Sequence, residues 1–144
     1  MEKKKIYYWS PFTSKVATIS AVLNSAHSLE KYSNNKYDIK IINAFGEWDE
    51  YIDKINKNNL KLINLFLKNL IKKKDTNGYF KSRIYFIYIF FFCFFPLKNL
   101  LKKNKPNFVL IHLLTSLPLF LNILFKFKTK FILRISGLPK MNFF

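Results

Sequence analysis

The six residues Asn107-Phe108-Val109-Leu110-Ile111-His112 set the tightest limit on the fold. They are apolar without alternation, as in a parallel strand buried on both faces, and such strands occur where helices cover a sheet on two sides. Lys5-Ile6-Tyr7-Tyr8-Trp9, a β-branched and aromatic run ended by Ser10-Pro11, predicts a buried first strand. Tyr37 to Asn43 predicts a second strand, and Lys130 to Ile135 another. Between the first two, Val16, Ile19, Val22, Leu23, Ala26 and Leu29 recur at helical spacing. Thr13 or Ser14 can cap that helix and Ser33-Asn34-Asn35 breaks it. Strand, helix, strand implies a right-handed parallel crossover. A later helix begins around Pro118, capped by Thr115 or Ser116, and runs to about Phe125. The expected fold is α/β: a Rossmann-like, doubly wound, mostly parallel sheet.

The middle of the chain reads differently. Phe45 to Glu50 is a turn-rich acidic loop, and Glu47, Asp49, Glu50 and Asp53 read as solvated carboxylates near a helix start rather than as a metal cluster. Ile52, Ile55, Leu62, Ile63, Phe66, Leu67, Leu70 and Ile71 share one helical face closed by Lys72-Lys73-Lys74, which predicts one long helix. Ile84 to Phe95 is then apolar without interruption until Pro96. A spanning helix takes about 20 residues, so this run is not expected to cross a bilayer. Apolar all round, it belongs either deep in a core or in a membrane interface. Burying it whole would demand a large facing surface, so an interfacial helix is the better reading, with a hairpin-like insertion or packing against a further domain as the alternatives. Segment 84–97 is therefore expected to associate with a membrane, with Phe86, Ile87, Phe90, Phe91 and Phe94 as contacts. Lys98, Lys102, Lys103 and Lys105 follow it, each contributing about 1 kcal/mol near anionic lipid.

The net charge of +17 on 144 residues points to anionic partners. Of the 25 basic residues only Arg83 and Arg134 are arginine. Nucleic-acid readers favour arginine for bidentate contacts, so an anionic membrane surface is expected and nucleic acid is not. Cys93 is the only cysteine, which excludes an intrachain disulfide and suits a reducing compartment. It reads as a small buried hydrophobe. The N-terminus is basic but no signal-peptide pattern follows, since Ser10-Pro11 interrupts the short apolar run. The expected location is cytoplasmic, peripheral on the inner face of the plasma membrane.

In open α/β sheets ligands sit at the carboxyl ends of the strands. Three loops lie there: Ser10 to Lys15, His112 to Ser116, and Ser136 to Lys140. His112 can face the cleft or simply bond to backbone, and Gly137 supplies a positive φ before Pro139 under either reading. His27, inside the first helix, reads as a surface or packing residue. No Gly-x-Ser-x-Gly occurs, which rules out a serine hydrolase of the nucleophile-elbow kind.

These loops in this order resemble the N-terminal domain of retaining GT-B glycosyltransferases of the family 4 type. The resemblance rests on Ile6-Tyr7-Tyr8-Trp9-Ser10-Pro11 with its helix, Lys105 to His112, and Arg134-Ile135-Ser136-Gly137-Leu138-Pro139-Lys140-Met141-Asn142. From about Glu47 to Leu100 the match is one of character only. It implies a two-domain enzyme whose N-terminal half binds the acceptor, often a lipid-linked sugar or growing lipopolysaccharide. The C-terminal half, absent from these 144 residues, would bind the nucleotide sugar, a co-substrate, with no cofactor or metal required. Carried over residue by residue, it makes Ser10, Pro11, Phe12, Lys15, Thr115, Arg134 and Gly137 substrate-binding. His112 and Ser136 become the catalytic candidates. Ser136 stands where many relatives carry histidine, and the first loop lacks the family's glycines. The expectation is a fragment inactive alone unless a separate donor-domain polypeptide completes it. A non-catalytic membrane-binding module of the same fold, or a basic nucleic-acid-binding protein, are the alternatives.

Overall fold

The structure is a computed structural model; it describes residues 3–12, 17–66, 79–112 (side chains from 84 onward) and 116–134. Five strands, β1 (Lys4–Trp9), β2 (Tyr37–Asn43), β3 (Lys61–Asn64), β4 (Phe108–His112) and β5 (Lys130–Arg134), form one sheet in the order β3-β2-β1-β4-β5. Every neighbouring pair is parallel. The order runs outward from β1 in both directions, so the topological switch point lies between β1 and β4.

Strand alternation sends successive side chains into two cores. On one face Tyr7, Trp9, Ile42, Val109 and Ile111 pack beneath α3 (Tyr79–Asn104) and α4 (Leu117–Phe125). On the other, Ile6, Tyr8, Ile39 and Ile41 pack against Ile19, Val22, Leu23 and Ala26 of α1 (Ala17–Tyr32). Helices on both faces explain why β1 and β4 have no polar alternation. The α/β Rossmann-like expectation holds, and Cys93 is a fully buried small residue as read from the sequence.

Three expectations are corrected. The helix expected from Ile52 to Ile71 ends as α2 (Ile52–Lys57), after a 3-10 turn over Asp49–Tyr51. Asn59 takes φ 54°, its N–H donates to the Asn56 carbonyl at 3.0 Å, and the Leu60 N–H donates to the Ile55 carbonyl at 3.0 Å. This is the Schellman stop, completed by burial of Ile55 with Leu60. Lys61–Asn64 then pairs with β2 as an edge strand, using Leu62 on one face of the sheet and Ile63 on the other. Residues 67–78 lie outside the described set.

The apolar run does not stop at Pro96; α3 passes through it and continues to Asn104. Ile89, Cys93, Leu97 and Leu101, spaced by four, are all fully buried against the sheet. A mid-helix proline costs about 3 kcal/mol. Burying Leu97 and Leu101 beyond it contributes about 1.5–3 kcal/mol each, which offsets that loss. The stretch Ile84–Asn104 is long and apolar enough to cross a bilayer by length and composition, yet one stripe of it is packed on the sheet.

Finally, Glu47 is not a solvated carboxylate. It turns inward to accept the backbone N–H groups of Ala44 at 2.9 Å and Phe45 at 2.7 Å.

Candidate functional site

At the carboxyl end of the sheet a polar residue closes every strand on the α1 face. Trp9 is paired with Ile42 and Ile111, so Ser10, which follows it, comes level with Asn43 and His112. Asn43 is paired with Asn64, and His112 with Arg134. Asn64, Asn43, Ser10, His112 and Arg134 thus make one row across the sheet, centred on the switch point. Alternation puts them on the same face as Tyr8, Leu62 and Leu110.

The centre of the row is buried and incompletely bonded. Ser10 is 1% exposed and His112 3%. Neither Ser10 Oγ nor His112 Nε2 has a hydrogen-bond partner among the described residues. Leaving such a group unpaired costs about 1–3 kcal/mol, so both favour a ligand that bonds them. The His112 ring stacks on Tyr8 with centroids 6.3 Å apart and planes at 28°. Tyr8 shares a 2.9 Å hydrogen bond with Ser25 of α1, which fixes that platform. Burial, reinforced by the Arg134 cation, holds His112 below its ordinary pKa. Both effects favour the neutral imidazole, which can bond a hydroxyl group.

Asn43, beside Ser10 in the row, is fully satisfied. Asn43 Nδ2 donates to Asp49 Oδ1 at 2.7 Å and to Asn64 Oδ1 at 2.8 Å. Its Oδ1 accepts the N–H groups of Gly46 at 3.0 Å and Trp48 at 3.2 Å. Gly46 has φ 101°, a conformation that glycine adopts without steric cost. Beside this network burial pushes Glu47 up to about 7, against the two N–H bonds that favour its ionised form, with Asp49 adding to the rise. Asn43, Asn64 and Tyr8 were not singled out from the sequence as site residues, and Glu47 was read there only as a solvated carboxylate. The legible hint was a polar residue ending each apolar strand.

The first loop divides. Ser10 stands in the row, and Pro11 is buried. Phe12 packs its ring edge-on to Trp48 at 4.9 Å and to Tyr51 at 5.9 Å, as part of the α1-face core. Arg134 is exposed at the right-hand end. Lys15, Thr115, Ser136 and Gly137 lie outside the described residues, as do Thr13 and Ser14. Ser116 precedes α4 without a side-chain capping bond. His27 is half-buried within α1. No grouping of three metal-ligating side chains occurs among the described residues.

Of the five residues expected at a membrane, Ile87 and Phe91 are exposed. Phe86, Phe90 and Phe94 are half-buried. Phe90 lies 5.3 Å from Phe120 of α4, and Phe94 lies 6.3 Å from Phe125. The exposed apolar surface also includes Tyr88, Phe92 and Phe95 of α3, with Ile123 and Leu124 of α4.

No protein-family model matches the chain, and no curated protein matches it in sequence. Among solved structures it is similar to Glycyrrhiza uralensis UGT73P12 complexed with glycyrrhetinic acid 3-O-monoglucuronide. The TM-score is 0.57 at 12% identity, covering 96% of this chain and 29% of that one. At that identity the likeness shows the fold alone. This chain shares a parallel α/β, Rossmann-like fold with part of that structure, and spans under a third of its length.

Proposed function

We propose that the chain is the acceptor-side half of a retaining, family 4-type glycosyltransferase. The complete enzyme moves a sugar from a nucleotide donor to a lipid-linked or polysaccharide acceptor such as lipopolysaccharide. A donor-binding half, on further sequence or on a separate polypeptide, closes the cleft. The observation that carries this reading is the strand-end row in a GT-B-like fold, with Ser10 Oγ and His112 Nε2 buried and without a hydrogen-bond partner among the described residues. Ser10 and His112 hold an acceptor hydroxyl, Arg134 supplies a cation for the donor phosphate, and Lys15, Thr115, Ser136 and Gly137 complete the loops. Catalysis then rests on positioning and on electrostatic stabilisation of the leaving phosphate.

The enzyme works on the cytoplasmic face of the plasma membrane. Support comes from the exposed apolar surface of α3 and α4, flanked by Lys98, whose Nζ lies 4.5 Å from the Phe125 ring centroid. Such a surface rimmed by lysine suits the interface of an anionic bilayer.

The test is a transfer assay on the purified chain with radiolabelled nucleotide sugars and a lipid-linked saccharide. No transfer is expected from the chain alone. Transfer by the chain alone would refute its status as a half-enzyme. Vesicle binding without any saccharide binding would instead favour a non-catalytic module of the same fold.

A further inference from the structure

The amino end of the sheet, opposite the polar row, carries a second feature. Asn107 ties three strand starts together. Its N–H donates to the Lys5 carbonyl at 2.9 Å, its Oδ1 accepts the Lys5 N–H at 2.8 Å, and its carbonyl accepts the Lys130 N–H at 2.9 Å. Thr129 Oγ1 adds a 2.8 Å bond to the Pro106 carbonyl. On this fixed base a concavity of about 410 Å³ is lined by Lys3, Lys4, Lys5, Lys103 and Lys105, with no carboxylate among its described lining residues.

Lysines at a helix end have an ordinary explanation, because α3 stops at Asn104 and its carbonyl end carries about half a negative charge. That charge offsets half of one ammonium. It does not account for Lys4, Lys103 and Lys105 together, the first of which comes from the start of β1 rather than from the helix end. Lys3 bonds the neutral side chain of Asn35. Asp38 is engaged elsewhere, by Lys40 at 3.0 Å and Lys61 at 3.6 Å.

A second concavity of about 510 Å³ shares Lys4, Lys105 and Asn107 with the first. Its lining includes the apolar residues Leu101, Pro106, Phe108 and Phe127, with Lys102, Lys128 and Lys130 beside them. The Phe127 ring lies 6.1 Å from Phe125, which borders the exposed α3–α4 surface. A cationic recess therefore opens directly onto an apolar one.

We propose that this double concavity binds the phosphate group of an amphiphile. The phosphate sits among Lys4, Lys103 and Lys105, and the apolar portion lies over the half-buried Phe108 and Phe127. Ammonium groups meet a phosphate as point charges, with no need for arginine's fork. Covering these apolar residues adds the burial term that a free phosphate cannot supply. The site lies at the far end of the strands from Ser10 and His112, so it anchors and does not react. It rests on the membrane reading above only for a lipid as the natural source of the amphiphile.

Calorimetry on the full chain tests it, using dihexanoyl phosphatidic acid below its micelle-forming concentration, dihexanoyl phosphatidylcholine and inorganic pyrophosphate. No bilayer is needed, so failure here is distinct from failure of vesicle docking. The phosphatidic acid should bind at least about tenfold more tightly than either other probe. Lys103→Glu with Lys128→Glu should weaken it by about tenfold or more, whereas Lys31→Glu with Lys54→Glu, the same charge change elsewhere, should shift it less than about twofold. Pyrophosphate binding as tightly as phosphatidic acid would overturn the proposal, because the apolar half would then contribute nothing. Equal losses in the two double variants would overturn it in favour of diffuse charge. Displacement of the lipid by a tighter-binding single-stranded oligonucleotide would overturn it in favour of a nucleic-acid surface.

Discussion

His112 and Arg134 are register partners at the carboxyl ends of β4 and β5, and the guanidinium reinforces what burial imposes on the imidazole. Both effects disfavour the imidazolium, so the folded chain takes up this proton less readily than the unfolded chain. The stability linked to His112 is therefore complete above its ordinary value of 6.5 and is lost as pH falls below it. An NMR titration should place His112 below its ordinary 6.5, and Arg134→Gln should raise its midpoint. An unchanged midpoint in the variant would show that burial alone sets it.

Glu47 has the opposite sign. Its folded pKa is raised from 4.5 to about 7, so the protonated form is favoured in the fold. The stability it contributes is present below 4.5 and is lost as pH rises to about 7, a swing of roughly 3 kcal/mol. In Glu47→Gln the pH dependence of thermal unfolding between those limits should flatten relative to the unmodified chain. A slope that persists would assign it to another group.

The end of α2 can be tested at Asn59. Alanine there must adopt the left-handed conformation without asparagine's tolerance for it, costing about 1 kcal/mol, whereas glycine should be neutral or stabilising. Urea unfolding of Asn59→Ala and Asn59→Gly separates the two. Equal losses would show that the side chain, not the backbone, matters.

Pro96 gives a paired test within α3. Pro96→Ala restores a helical hydrogen bond and should raise the unfolding midpoint, while Leu97→Ala opens a fully buried site and should cost about 2–5 kcal/mol. If Leu97→Ala costs under about 1 kcal/mol, the helix beyond Pro96 is not held by the sheet.

Membrane docking is tested by flotation with anionic and neutral vesicles. Phe91 is 69% exposed and Ile123 73% exposed, so the paired variant Phe91→Glu with Ile123→Glu should fold and fail to float with anionic vesicles. Undiminished flotation would move the contact elsewhere.

Four of the five strands, β3 excepted, and α1 were legible because their patterns have one reading. Tyr37–Asn43 is bounded by turn residues, and Ile19, Val22, Leu23 and Ala26 keep strict helical spacing. Two elements were misjudged because long-range burial decided them. Ile55 and Leu62 fit one helical face, yet Asn59 turns the chain and β2 offers Leu62 an edge to pair with. Pro96 reads as a stop, yet the four-residue spacing of Cys93, Leu97 and Leu101 carries the helix across it. At the site, Ser10, His112 and Arg134 could be picked out by their place at strand ends. Asn43, Asn64 and Glu47 could not, because their importance comes from register and from hydrogen bonds across β2 and β3.

The most direct test of the acceptor-side reading is a backbone amide chemical-shift map of the chain, titrated separately with a lipid-linked saccharide and with a nucleotide sugar. The expected result is saturable shifts at Ser10, Asn43 and His112 with the saccharide, weakened by Ser10→Ala, and no saturation with the nucleotide sugar alone. Saturable nucleotide-sugar binding at the row with none for the saccharide would contradict it, and would make this the donor-side half instead.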